Sequence, residues 1–156
     1  MAKIGVKTTP LINKGSQKLA KGAKYFVSSC VNEGILEITV IGEITETTYA
    51  SVTEEVNSAI KANNAKKAIA DFRAVEKRIE PEDMYRYFRN FDSVLFEIQY
   101  AIVDLPQNVQ YKIAALNAGL SSLEWFTDME SAREWIRNSD PSSVYKGSNP
   151  LLRILR

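Results

Sequence analysis

Short apolar segments of strand composition alternate with segments of helical spacing along most of this chain, and that alternation restricts the possible folds. Repeated strand-to-helix succession is typical of a mainly parallel sheet covered by helices. The chain has 156 residues, enough for one domain with its own core. We therefore predict a single α/β domain with the order ββαβαβαβα and a mixed, mostly parallel sheet of about five strands.

The first two strands are predicted at residues 25–31 and 35–41, where β-branched and aromatic residues are frequent. Asn32-Glu33-Gly34 between them is a turn signal, so the pair is expected to form an antiparallel hairpin. Later apolar runs at residues 67–72, 100–104 and 123–126 are short and bounded by polar residues, which is typical of buried strands.

Four helices are predicted from apolar spacing. The second begins at Pro81 and extends to Leu95, and Gly119 ends the third. Thr127 is expected to cap the last helix, with Glu130 completing a capping box. The apolar positions that define the helices are Tyr49, Val52, Val56, Ala59 and Ile60; Met84, Tyr87, Phe88, Phe91, Val94 and Leu95; Val109, Ile113, Leu116 and Leu120; and Met129, Ala132, Trp135 and Ile136.

The two ends of the chain differ from its middle. Residues 1–24 contain six lysines and no acidic residue, whereas residues 25–137 are net acidic. We interpret residues 1–24 as a basic, flexible N-terminal segment, 25–137 as the α/β domain and 138–156 as a C-terminal tail. The basic ends are either solvated tails or contacts for an acidic partner, including a second copy of the chain.

Several kinds of chemistry are disfavoured by composition. The chain has no histidine and one cysteine, so the commonest general base and metal ligand are missing and no internal disulfide is possible. Cys30 is expected to be a buried, inert thiol. No glycine-rich phosphate loop and no apolar run of membrane-spanning length occur. We therefore expect a cytoplasmic protein that is not an enzyme, with no catalytic residue, no cofactor, no metal and no membrane span.

The candidate site residues are charged and follow the predicted central strand. Asp71 and Arg73 are expected at its carboxyl end, where ligands collect in open α/β sheets. They would either orient a polar ligand or partner group or form a structural ion pair. Glu76, Lys77 and Arg78 lie in a predicted charge-dense loop that is either a solvated surface or a patch for docking a partner.

Residues 85–91 mix aromatic and basic side chains, a pattern that occurs in nucleic-acid stacking surfaces. The spacing of Tyr87, Phe88 and Phe91 assigns these aromatic residues to the core instead. Because the body of the chain is also net acidic, no nucleic-acid partner is expected.

Three stretches resemble the SpoIIAA-like branch of the STAS superfamily. They are the hairpin from Gly34 to Gly42, the strand Ala68-Ile69-Ala70-Asp71-Phe72-Arg73, and Trp125-Phe126-Thr127-Asp128 with the helix Ala132-Arg133-Glu134-Trp135-Ile136. The resemblance implies a regulatory, non-enzymatic protein-interaction module. Antagonists of this family carry a phosphorylated serine after the central strand, but residues 71–81 here contain no serine or threonine.

The sequence leaves three functions open. The first is a STAS-like interaction or regulatory module without a phosphoserine switch, whose partner is another protein or a second copy. The second is a small carrier that binds an apolar or amphipathic ligand beneath its helices. The third is an enzyme of unknown class.

Overall fold

The computed structural model describes residues 19, 21–90 and 93–139. The predicted order of strands and helices is confirmed. Most of the predicted N-terminal segment 1–24, most of the tail 138–156, and Phe91 lie outside the described residues. The elements are β1 (Tyr25–Asn32), β2 (Ile35–Ile44), α1 (Tyr49–Ala62), β3 (Lys67–Arg78), α2 (Pro81–Phe88), β4 (Gln99–Val103), α3 (Val109–Asn117), β5 (Glu124–Phe126) and α4 (Met129–Asn138), with 3-10 turns at Ser93–Phe96 and Pro106–Asn108.

The predicted hairpin of β1 and β2 is confirmed. The strands pair antiparallel from Asn32 opposite Ile35 to Tyr25 opposite Gly42. Glu33 and Gly34 form the turn with φ of 52° and 81°. Two successive positive φ angles suit a two-residue hairpin, since this turn matches the right-handed twist of the strands.

The five strands lie side by side in chain order, and β2 to β5 are parallel. Because crossovers between parallel strands are right-handed, sequential order places α1, α2 and α3 on one face of the sheet. We call this the three-helix face. Its core joins side chains of α1, α2 and α3 to strand residues such as Leu36, Ile38 and Ala70.

Within the described residues, the opposite face is covered by α4 alone, and we call it the α4 face. Ala132 and Ile136 of α4 are fully buried against Ile35, Ile69 and Val103. The helix packs mainly on β3, β4 and β5. The α4 face therefore has a much smaller apolar core than the three-helix face.

Two element boundaries differ from the prediction. β3 continues to Arg78 instead of ending at residue 72, because residues 74–78 pair with β2 across two register shifts. Residues 71–78 are thus not a loop. The second helix ends at Phe88, well before Leu95. There Asn90 donates its backbone N–H to Tyr87 and its side-chain amide to Arg86, which satisfies carbonyls at the helix end.

The predicted cap of the last helix is wrong by one residue. The N-cap is Asp128, whose Oδ1 accepts from the Ser131 backbone N–H at 2.7 Å and whose Oδ2 accepts from the Ser131 hydroxyl at 2.9 Å. A carboxylate accepts these bonds well and also opposes the positive end of the helix dipole. Thr127 and Glu130 consequently form no capping box.

Two predicted burials are also wrong. Cys30 is exposed, because it lies on the edge strand β1 close to the hairpin turn. Trp135 is only half-buried and packs its ring against Phe126, with centroids 5.8 Å apart. It flanks the small core of the α4 face instead of filling it.

Candidate functional site

The structure separates the five candidate residues. Asp71 pairs with the last residue of β4, Val103, and Arg73 follows at a bulge in β3. Both residues lie on the α4 face. Arg78 lies at the end of β3 on the three-helix face, and Glu76 and Lys77 are exposed between them. The expected cluster of five charges after a short strand is therefore not formed.

Asp71 and Arg73 form a local, two-pronged ion pair. Arg73 Nε donates to Asp71 Oδ1 at 3.0 Å and its terminal nitrogen donates to Oδ2 at 2.8 Å. The Arg73 backbone N–H also donates to Oδ1, at 3.0 Å. The Asp71 carboxylate raises the pKa of Arg73, so the guanidinium remains charged. The Arg73 side chain is 37% exposed, and its contacts stabilise the bulge.

A second pair on the α4 face joins residues 96 positions apart. Arg133 of α4 donates to both oxygens of Glu37 on β2, at 2.7 and 2.9 Å. These hydrogen bonds lower the pKa of Glu37 below its ordinary value of 4.5. The pair fixes α4 across the sheet. Sequence reasoning missed it, because nothing in either local pattern indicates a partner so distant in the chain.

The most buried ion pair joins Arg78 of β3 to Asp104, the residue after β4. Two Arg78 nitrogens donate to the Asp104 oxygens at 2.7 and 2.9 Å, and one of them also donates to the Phe72 carbonyl at 2.7 Å. The side chains are only 15% and 6% exposed. Arg78 is therefore not part of a solvated charged loop, as its neighbours in sequence suggested.

Further contacts link this buried pair to α3. Asp104 Oδ1 accepts from the Leu105 backbone and from the Asn108 side chain just before α3. The Arg78 guanidinium lies 5.3 Å from the ring centroid of Tyr111. Tyr111 in turn donates its hydroxyl to the Ile79 carbonyl at 2.7 Å. The first turn of α3 is thereby fixed to the junction between β3 and α2.

The outward side of α3 carries three large apolar residues. Val109, Ile113 and Leu116 are 53%, 49% and 44% exposed, and we call these three residues the α3 stripe. Their spacing predicted the helix correctly, but the side chains that α3 buries are those of Ala114 and Ala115. Since these alanines are small, the helix packs close to its neighbours while its larger apolar residues face outward.

Charged side chains lie at the same end of the domain as the start of α3. Glu76 and Lys77 are exposed on β3, and the Lys77 ammonium lies 3.5 Å from a carboxylate oxygen of Glu43 on β2. The ends of parallel strands meet at one sheet edge, and the α3 stripe begins at that edge with Val109. An exposed apolar stripe with charged side chains at the same end of the domain is a composition found in protein-docking surfaces.

The part of the chain that the structure describes gives no support for a metal site or for a membrane-spanning helix. Among those residues, no three histidine, cysteine, aspartate or glutamate side chains come together as a metal site would require. Within the same ranges, no helix combines the length and apolar character that are needed to cross a bilayer.

No protein-family model matches the chain, and a search of curated proteins found no significant match. Among solved structures, it is similar to an anti-sigma factor antagonist from Mycobacterium paratuberculosis, with a TM-score of 0.57 and 14% identity over 77% of this chain and 100% of that one. It is also similar to an uncharacterized protein with a SpoIIAA-like fold from Shewanella loihica, with a TM-score of 0.49 and 15% identity over 76% and 99% of the two chains. The chain therefore shares the α/β fold of this anti-sigma factor antagonist.

Proposed function

We propose that this protein is a non-enzymatic, regulatory module that binds another protein through α3. The observation that carries the proposal is the α3 stripe, three large apolar side chains exposed along one side of a helix. Single exposed apolar residues are ordinary, but an aligned group that the core does not use indicates an interaction site. The solved relative that is named as an anti-sigma factor antagonist adds support by fold analogy.

The proposed docking surface consists of the α3 stripe, and we add to it Glu76 and Lys77, which are exposed at the same end of the domain. The stripe would supply most of the binding free energy, since apolar burial contributes roughly 25 cal/mol per Å². The two charges would act mainly on orientation and association rate. Asp71 and Arg73 lie on the opposite face, and we assign them a structural role at the bulge.

The proposed module works without a phosphoserine switch. Residues 71–81 contain no hydroxyl side chain, so a kinase has no acceptor there. In addition, the arginines of the described ion pairs are held by carboxylates of the same chain. Binding would then be regulated by the concentration of the partner or by its own modification.

Affinity capture from a lysate of the source organism, with quantitative mass spectrometry, tests this proposal. The double variant Ile113→Gln, Leu116→Gln makes the stripe polar while keeping good helix formers. We expect it to lose at least tenfold of whatever protein the native chain retains, with little change in melting temperature. Gln110→Ala, at an exposed polar position of the same helix, is the matched control and should retain that protein.

Equal capture by the native chain and the double variant would refute the docking surface. If sedimentation shows that the chain itself dimerises, and the double variant is monomeric, the partner is a second copy. A dimer that the double variant leaves intact would place self-association elsewhere.

A second candidate function is carriage of a small apolar or amphipathic ligand. It is favoured by a cavity between the sheet and the helices of the three-helix face.

A further inference from the structure

The three-helix face contains a cavity of about 110 Å³ that is partly open to solvent. It lies between α1 and α2 on one side and β3, β4 and β5 on the other, and most of its wall is apolar. Val52, Val56, Met84, Phe88 and Ile102 contribute to that wall. An apolar cavity of roughly 150 Å³ in another protein stays dry and binds benzene. The volume here suits a slightly smaller compact molecule.

The charged residues at the cavity wall pair with each other and so provide no counter-charge for an ionic ligand. Arg78 and Asp104 line it, but they neutralise each other and bind neighbouring backbone and side-chain groups. Tyr100 also lines it, and burial raises the pKa of its hydroxyl well above the ordinary value, so it stays neutral. An ion in this cavity would lose its hydration without gaining a counter-charge, which is strongly unfavourable. The occupant is therefore neutral.

One residue of the wall, Trp125, has a side-chain N–H without a hydrogen-bond acceptor among the described residues. Trp125 lies on β5, and its indole Nε1 is buried. A buried tryptophan N–H usually has an acceptor, because a donor that has lost its hydration without gaining an acceptor is unfavourable. An occupant that supplies an acceptor removes that cost.

We propose that this cavity is a binding site for a neutral, compact apolar molecule with a hydrogen-bond acceptor, such as a small ketone or ester. The apolar body occupies the space against Val52, Val56 and Ile102. The acceptor oxygen receives the hydrogen bond from Trp125 Nε1. The inference deepens the carrier function named above and is independent of the α3 stripe, so either can fail alone.

The test uses cyclopentanone as the probe and cyclopentane as the probe without an acceptor. In ¹H–¹⁵N spectra of the full chain, cyclopentanone should saturably shift the indole N–H signal of Trp125 downfield. The indole signal of Trp135, on the α4 face, serves as the internal control and should not move. Cyclopentane should bind without that downfield shift, detected through the methyl signals of Val52 and Val56.

Two variants test whether the probes bind in the cavity and whether the Trp125 N–H contributes to binding. Trp125→Phe retains an aromatic ring but removes the donor. It should weaken cyclopentanone binding about fivefold, the usual net effect of one hydrogen bond, and leave cyclopentane binding within about twofold. Val52→Leu fills part of the cavity and should weaken both probes.

Three outcomes would overturn the proposal. The first is an unmoved Trp125 signal at the highest soluble ketone concentration. The second is persistent magnetisation transfer from water to the Trp125 indole at saturating ketone, which would show that the cavity holds ordered water only. The third is equal ketone affinity in the native chain and both variants, which would place binding on the outer surface.

Discussion

The two faces of the sheet differ in how deeply they bury their arginine–carboxylate pairs and in whether a covering helix exposes large apolar side chains. On the three-helix face, the Arg78–Asp104 pair is almost completely buried, while the α3 stripe is exposed. On the α4 face, Ala132 and Ile136 are buried, while Arg73 and Arg133 remain partly exposed beside their carboxylates. Arginine–carboxylate pairs thus lie in the interior on one face and near the surface on the other.

This difference separates residues that stabilise the fold from residues available to a partner. A buried ion pair cannot meet a partner, but it leaves a costly unpaired charge when it is broken. An exposed apolar stripe contributes little to folding, because much of its area stays in water. A contribution to folding therefore does not explain why the exposed residues of the α3 stripe are apolar. It does explain why Arg78 is buried beside a carboxylate.

The largest expected effect is that of Arg78→Ala, which leaves the Asp104 carboxylate buried without its cation. Breaking one side of a buried pair costs about 3–5 kcal/mol. Arg73→Ala is the matched variant on the α4 face and should cost less than about 1 kcal/mol, because its pair is partly exposed and local. Urea denaturation of both variants measures the two losses in free energy of unfolding. Equal losses would show that the two ion pairs do not differ in their contribution to stability.

Trp135→Ala probes the smaller core of the α4 face. Loss of a fully buried large aromatic residue costs about 3–5 kcal/mol, but Trp135 is half-buried. We expect about 2 kcal/mol, with part of it from the lost contact with Phe126. A loss above about 4 kcal/mol in thermal or urea unfolding would show that this face is packed as tightly as the other.

Glu37→Gln should have a smaller, pH-dependent effect. Arg133 lowers the pKa of Glu37 in the folded chain, so the pair stabilises the fold above the ordinary pKa of 4.5. That contribution is lost as the pH falls through the lowered value. Unfolding should therefore show a cost of about 1 kcal/mol at pH 7 that diminishes in acid. A cost independent of pH would mean that ionisation of Glu37 is not its source.

The smallest predicted effect concerns the start of α4. Asp128→Ala removes the acceptor for the Ser131 N–H and should lower the melting temperature by a few degrees. Thr127→Ala is the neighbouring control and should leave it nearly unchanged. If Thr127→Ala proves the more damaging substitution, the helix begins one residue earlier than described.

The sequence predicted the elements well, because each element has a local signal. Helical spacing located α1 from Tyr49 to Ile60, and the turn at Glu33-Gly34 located the hairpin. The extension of β3 beyond residue 72 was missed, because its polar residues alternate irregularly across two register shifts. Pairing with β2, which no local pattern records, makes that segment a strand.

The candidate site was much harder to predict, since it depends on which face each residue occupies. Arg73 and Arg78 lie five residues apart in β3 and reach opposite faces of the sheet, whereas the sequence prediction placed both at one end of a short strand. The exposure of Ile113 could not be predicted either. Apolar spacing identifies a helix, but it does not tell which side of the helix is buried. The pair of small residues Ala114 and Ala115 is the signal that indicates close packing on the other side.

Hydrogen–deuterium exchange of the complex with the captured partner tests the central claim most directly, since it reports which face is covered. If the partner binds the α3 stripe, we expect slower exchange in α3, residues 109–117, and at residues 76–78. Exchange in α4 should be unchanged. Slower exchange in α4 and on β1 or β2, with α3 unchanged, would place the partner on the α4 face and contradict the account.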